Sequence, residues 1–239
     1  MAETFVALLF AHVLADFVLQ TDAMVRRKAE PLILLAHAAV VLVTALAVLG
    51  TLTAWPVYAL AAAHLAIDTV KLQVGDRLGP YLLDQAAHVA SLAAVALVAP
   101  ALWAASVWAG AAPDALAAAL PAILLHLAGF IVAVRAGGFT VGKLLEPMTA
   151  HWTRARILGG GFPQAGLLIG QLERGLTFAL VLAGQPTAVA FLIAAKSVLR
   201  FNATREDRRI AEYVIIGTLA SVGWALFAAY ATLWLNAQL

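Results

Sequence analysis

The sequence predicts an all-α, polytopic membrane protein of about eight transmembrane helices, the first four forming a bundle of two parallel hairpin repeats. Three observations predict it: scarce charge, apolar runs of membrane-spanning length, and basic residues confined to alternate connections. Of 239 residues, 64% are hydrophobic and 12% charged, against about 25% charged and 45–50% apolar in an ordinary soluble domain. So little charge cannot coat a soluble globule of this size, which excludes a free cytosolic or secreted protein. Cysteine is absent, so there is no disulfide framework, thiolate metal site or cysteine nucleophile. The net charge of +2 reports topology in such a chain rather than nucleic-acid binding.

A bilayer-crossing helix needs about 20 mostly apolar residues. Apolar runs fall near 5–21, 31–54, 56–73, 80–105, 115–134, 164–183, 186–201 and 209–235. Pro31, Pro56, Pro80, Pro113, Pro163 and Pro186 stand at or just before runs, the helix-entry position where a missing N–H costs nothing. No segment alternates with period two, and Ala and Leu dominate, which argues against strands. Met1–Thr4 lacks the basic region of a cleaved signal peptide, so residues 5–20 are read as the first membrane helix. Of 15 basic residues, 13 lie in alternate connections, beginning with Arg26, Arg27 and Lys28. The positive-inside rule puts those connections in the cytoplasm and both termini outside. The stretch 136–162, with Gly159–Gly161 and Trp152 beside Arg154 and Arg156, reads as a cytoplasmic, partly interfacial connector. The expected organisation is a four-helix bundle over 1–110, a fifth span with this connector over 111–162, and a three-helix membrane extension over 163–239.

The first bundle carries a polar constellation. His12-x3-Asp16 is followed by Gln20, His64-x3-Asp68 by Lys71, and Asp84-Gln85 by His88, while His37 lies in the second run. Residues four apart share a helix face. Random placement of 6 His and 7 Asp predicts well under one pair at any fixed spacing. The order His12, Asp16, Gln20, Asp22, His37 repeats as His64, Asp68, Gln73, Asp76, His88, which predicts two hairpins related by a pseudo-two-fold along the membrane normal. All the His and Asp groups then fall in the cytoplasmic half of the bundle, where buried charge is expensive and marks function. Imidazoles and carboxylates suit zinc or manganese. The expected ligands are His12, Asp16, His64, Asp68 and His88, with Asp84 and His37 as catalytic base or supporting groups. The same groups can relay protons, or simply pin helix packing.

The second half carries Glu173 and Arg174 in the sixth run, Lys196 and Arg200 in the seventh, and Glu212 opening the eighth. Lys196, Arg200 and Arg174 are expected to bind a substrate anion, or to close a buried ion network with Glu173 and Glu212. Gly166-x3-Gly170 permits close helix approach. His126, alone in the fifth run, reads as a hydrogen-bonded packing residue.

His12-x3-Asp16-x3-Gln20-Thr21-Asp22, then Lys28, His37, His64-x3-Asp68-x2-Lys71 and Asp84-Gln85-x2-His88 resemble the bacterial domain-of-unknown-function family 3307 over about residues 5–105. The second half, with Ile169-Gly170-x-Leu172-Glu173-Arg174, Ala195-Lys196-Ser197-x2-Arg200-Phe201 and Glu212-Tyr213-x3-Gly217-Thr218, resembles the extension of longer members. The resemblance implies a multi-pass protein of the bacterial cytoplasmic (inner) membrane and no activity. From the residues, the expected function is metal-dependent hydrolysis of a phosphorylated or lipid substrate. A proton- or cation-coupled transporter and a non-catalytic scaffold are the alternatives. Membrane lipids are the expected partners; no nucleic acid is expected, and homo-oligomerisation stays open.

Overall fold

The computed structural model describes residues 1–154, 164–204 and 208–239, with side chains described for 1–148, 164–198 and 208–239. Every regular element among the described residues is helical. The chain divides into two compact units, one of Met1–Ile131 with Trp234–Leu239 and the other of Val132–Leu233.

In the first unit, α1 (Ala2–Leu14) passes directly into a π-helical turn (Ala15–Leu19), followed by a short α2 (Asp22–Arg26). Thr21 caps α2, its hydroxyl accepting from the Met24 amide. Pro31 and Pro56 stand in the opening turns of α3 (Pro31–Leu49) and α4 (Trp55–Val74), as expected of helix starts. α5 (Leu78–Val98), the short α6 (Val107–Ala111) and α7 (Asp114–Ile131) complete the unit. Helices α1, α3, α4 and α5 close a ring in which each packs on the next, and α7 packs against α1.

The ring is sealed at one end by Ala7, Leu8, Ala11, Ala45, Leu49, Leu60 and Leu92, with Trp103 among them. Thr4 fastens the same end: its hydroxyl donates to the Pro100 carbonyl at 2.9 Å and accepts from the Trp103 amide at 3.1 Å. Gly50 ends α3 in the left-handed conformation, its amide reaching the Ala47 carbonyl. A side chain there would stand 2.6 Å from Val107 Cγ2, so glycine is required both by φ and by space. The outward faces of the helices are apolar, with Leu32 77% and Leu83 72% exposed, while His37 and His88 are 1% exposed. Polar inside and apolar outside suits lipid as solvent.

Six helical stretches among the described residues are long and apolar enough to cross a membrane, which is compatible with a multi-pass membrane protein but falls short of the eight expected. The two shortfalls have physical reasons. α4 has a full 20 residues, but His64, Asp68, Lys71 and Gln73 lower its apolarity; part of this polar set is buried in the ring rather than facing lipid. The apolar part of the seventh run is short, at Ala188–Val198. The fourth run also ends early, because the chain leaves the helix after Val98.

In the second unit a π turn (Val132–Ala136) leads into α8 (Gly137–Arg154). The connector expected from residue 136 is therefore helical as far as Arg154; its Gly159–Gly161 run and Arg156 lie outside the described residues. α9 (Ala165–Leu182), α10 (Ala188–Thr204) and α11 (Arg208–Asn236) follow. A π turn displaces its carbonyls from their usual partners, and side chains reach in to meet them. Arg174 of α9 donates through Nε and Nη2 to the Val134 carbonyl at 3.2 and 3.0 Å, and Trp224 Nε1 of α11 donates to the Val132 carbonyl at 2.9 Å. Glycines make room for them. A side chain on Gly137 would meet Trp224 Cδ1 at 2.5 Å, and one on Gly170 would meet Arg174 Nη1 at 3.0 Å. Gly166 faces open space. Gly166-x3-Gly170 is therefore not a helix-approach motif here, because Gly170 accommodates the Arg174 guanidinium one turn along its own helix.

Gly137 and Gly142 supply a paired test. Gly137→Ala is expected to lower stability by about 1–3 kcal/mol through overpacking against Trp224. Gly142→Ala, with nothing near the added methyl, is expected to gain up to about 1 kcal/mol from helix propensity. Thermal midpoints by circular dichroism in detergent check both; an equal response would contradict the packing account.

Candidate metal centre

Four helices bring seven titratable groups to one place in the first unit. His12 ends the regular part of α1, and Asp16 sits in the π turn that follows. That turn is closed by the Gln20 amide bonding five residues back to the Ala15 carbonyl at 2.9 Å. It rotates Asp16 off the regular stripe, so Asp16 Oδ1 lies nearer to His37 Nε2 (3.4 Å) and His64 Nε2 (3.6 Å) than to His12 Nδ1 (3.9 Å). The α-helical pairs keep their spacing: His64 Nε2 is 3.5 Å from Asp68 Oδ2, and His88 Nε2 is 3.6 Å from Asp84 Oδ1. Asp68 also reaches across the ring, Oδ2 standing 3.7 Å from His37 Nε2 and Oδ1 3.7 Å from His88 Nε2. The rings of His64 and His88 stack with centroids 4.0 Å apart, and His12 packs on both.

These separations are informative. Nitrogen-to-oxygen hydrogen bonds cluster at about 2.7–3.2 Å, and the imidazole–carboxylate distances here are longer. Asp16 Oδ1, Asp68 Oδ2, Asp84 Oδ1, His12 Nε2 and His88 Nε2 are buried without a hydrogen-bond partner. Each such orphan costs about 1–3 kcal/mol. Helix pinning alone would pair these atoms. A cation among them satisfies several at once. The described residues give three overlapping groups able to hold one: His12, His64 and His88; Asp16, His37 and His64; and Asp68, Asp84 and His88. His37 and Asp84, expected as catalytic or supporting groups, stand within these ligand-capable sets.

The cluster is closed on one side and charged on the other. A water-sized cavity lined by His12, His64, His88 and Ser91 separates it from Leu8, Val41, Ala45, Leu60 and Leu92. At the opposite side Lys28 Nζ donates to Asp68 Oδ1 at 2.8 Å, and Lys71 Nζ donates to Asp84 Oδ2 at 3.0 Å, joined there by Gln85 Nε2 at 3.1 Å. Lys71 also lies over the Tyr81 ring. Reading Lys28 as a topology marker missed its role as the partner of Asp68. Its place within a basic triplet hid that role; the signals were its place in the series His12 to His88 and its position on the turn that returns the chain to the bundle.

The second-half residues are placed differently. Lys196 Nζ bonds Glu173 Oε2 at 2.6 Å, whereas Glu212 accepts from Arg208 on its own helix at 2.9 Å. Besides its bonds to Val134, Arg174 donates to Ser221 Oγ at 3.2 Å. The Arg200 side chain lies outside the described residues. His126 Nδ1 bonds the Ala122 carbonyl one turn back.

Lys71→Met should leave Asp84 short of a donor, lowering the stability of metal-free protein by about 1–3 kcal/mol. A divalent cation should then restore more of the thermal midpoint in the variant than in the parent. A variant as stable as the parent would contradict the pairing.

No curated protein and no solved structure matches the chain. Residues 4–111, which span the helical ring and its closing segment, match the model of a family described as protein of unknown function DUF3307. Over this first part the chain is similar to that family.

Proposed function

We propose that the helical ring is a metal-dependent hydrolase site within the membrane, open to the cytoplasm and acting on a phosphorylated or lipid substrate. The observation that carries this reading is the set of buried, unpartnered imidazole and carboxylate atoms facing one another. Three carboxylates and four imidazoles are a hard-to-borderline donor set suited to zinc or manganese. Ligands are drawn from His12, Asp16, His37, His64, Asp68, Asp84 and His88; those left uncoordinated exchange protons with the reactants. A divalent cation held by these residues would lower the pKa of a bound water and polarise a phosphoryl oxygen. Hydrolysis would join a water oxygen to phosphorus as the bond to the leaving oxygen breaks, and an uncoordinated imidazole or carboxylate would carry the water proton to the leaving group.

The substrate anion is assigned to Lys28 and Lys71, which lie at the charged side of the cluster. Arg174 donates to Val134 and Lys196 to Glu173 in the second unit, and neither is used in this proposal. The basic connections orient the charged side toward the cytoplasm, in keeping with a bacterial inner-membrane protein whose termini lie outside. The order of His and Asp in the two hairpins supports a pseudo-two-fold repeat, which is also common in transporters. The apolar seal beyond the cavity opposes a through-path for ions.

Elemental analysis of the purified full-length protein tests the reading. Zinc or manganese at near-stoichiometric level is expected, at least tenfold lower in His64→Ala and Asp68→Ala, together with metal-dependent release of phosphate from a model phosphomonoester. Absence of metal, with proton-gradient-driven flux in vesicles, would establish the transporter instead.

A further inference from the structure

We infer that the cluster is built for two divalent cations held side by side, with the Asp68 carboxylate shared between them; this rests on the metal reading above. Of the three overlapping ligand-capable groups, two share no residue. Asp16, His37 and His64 form one, and Asp68, Asp84 and His88 form the other, with the atoms of each set within 4.8 Å of one another. Ligands bound at about 2.0–2.2 Å to a common ion stand roughly 3–4 Å apart. The observed separations match: 3.2 Å between His37 Nε2 and His64 Nε2, 3.4 and 3.6 Å from these atoms to Asp16 Oδ1, and 3.6 Å between His88 Nε2 and Asp84 Oδ1.

Asp68 faces both sets. Its Oδ2 lies 3.5 Å from His64 Nε2 and 3.7 Å from His37 Nε2, while its Oδ1 lies 3.7 Å from His88 Nε2. A carboxylate has two ligand oxygens and can serve two ions at once. The stacking of His64 on His88, at 4.0 Å between centroids, puts the sets side by side. Two-ion hydrolytic sites have metals about 3.5–4 Å apart.

The chain order gives an independent reason for two sets. The first hairpin supplies Asp16 and His37 to one, and the second supplies Asp68 and His88 to the other. These are corresponding members of the internal repeat. The third members differ: His64 of the second hairpin completes the first set, and Asp84, without a counterpart in the first hairpin, completes the second. His12 falls in neither set; it lines the adjoining cavity and forms the third overlapping group with His64 and His88.

The sets differ in charge. Both carboxylates of the second already carry a lysine, Lys28 on Asp68 and Lys71 on Asp84, whereas no lysine lies on Asp16 among the described salt bridges. Loading is therefore stepwise: the first ion enters at Asp16, His37 and His64, and the second binds more weakly against the lysines. Two divalent ions with two lysines exceed the three carboxylates in charge, so the loaded centre favours an anionic ligand, such as a phosphate ester.

Manganese titration of the full-length protein in detergent tests the inference, with elemental counting and electron paramagnetic resonance as readouts. About two ions per chain are expected, bound in two steps, with the isolated-ion spectrum giving way to an exchange-coupled one at the second. Asp84→Asn and Asp16→Asn should each hold about one ion with an uncoupled spectrum. Parent protein saturating at one uncoupled ion would overturn the two-ion inference while leaving a single-metal site standing. No bound manganese or zinc would remove both. The parent measurement decides without relying on the folding of any variant.

Discussion

Withdrawing Asp16, Asp68 and Asp84 from water is the constraint on which the rest of the first unit depends. An ionised carboxylate inside an apolar bundle costs several kcal/mol even after relaxation, so none can face lipid. The ring of α1, α3, α4 and α5 satisfies that demand by turning one polar patch of each helix inward and leaving leucine and valine outside. Lys28 and Lys71 close the charge from one side. The imidazoles complete the interior. They stand too far from the carboxylates for full hydrogen bonding, and the proposed metal reading rests on this mismatch.

The second unit solves a backbone problem with similar means. Its π turn leaves the Val132 and Val134 carbonyls in need of donors, and Trp224 and Arg174 supply them. Gly137, Gly138 and Gly170 lack side chains where the guanidinium and indole pass. A buried arginine in a membrane helix therefore need not signal a ligand: here its donors go to Val134 and Ser221. Glu173, next to Arg174 in sequence, points to another partner and pairs with Lys196, as neighbours about 100° apart on a helix do.

Much of this was legible in the sequence where the signal was periodic. The His64-x3-Asp68 spacing of α4 and the Asp84-x3-His88 spacing of α5 brought the members of each pair together, because an α-helix preserves the i, i+4 face. Prolines 31 and 56 marked helix starts for the same local reason. The π turns were not legible. No residue type signals an inserted turn, so the shift of Asp16 toward His37 and His64 was unavailable from spacing. Six stretches among the described residues are long and apolar enough to cross a membrane where about eight were expected; α4 falls short in apolarity because its polar patch is covered by neighbouring helices. Lys28 was read through a rule about loops, whereas its tertiary role depends on a contact 40 positions away. The helical continuation from Gly137 toward Arg154 was obscured by two glycines that serve packing rather than ending a helix.

The most direct measurement is an anomalous difference map from crystals of the protein grown with zinc, recorded on both sides of the zinc absorption edge. The account predicts density enclosed by the Asp16, His37 and His64 side chains, with ligand distances of about 2.0–2.2 Å. Ordered side chains with no anomalous density, and with imidazole and carboxylate drawn together into direct hydrogen bonds of about 2.7–3.0 Å, would contradict it.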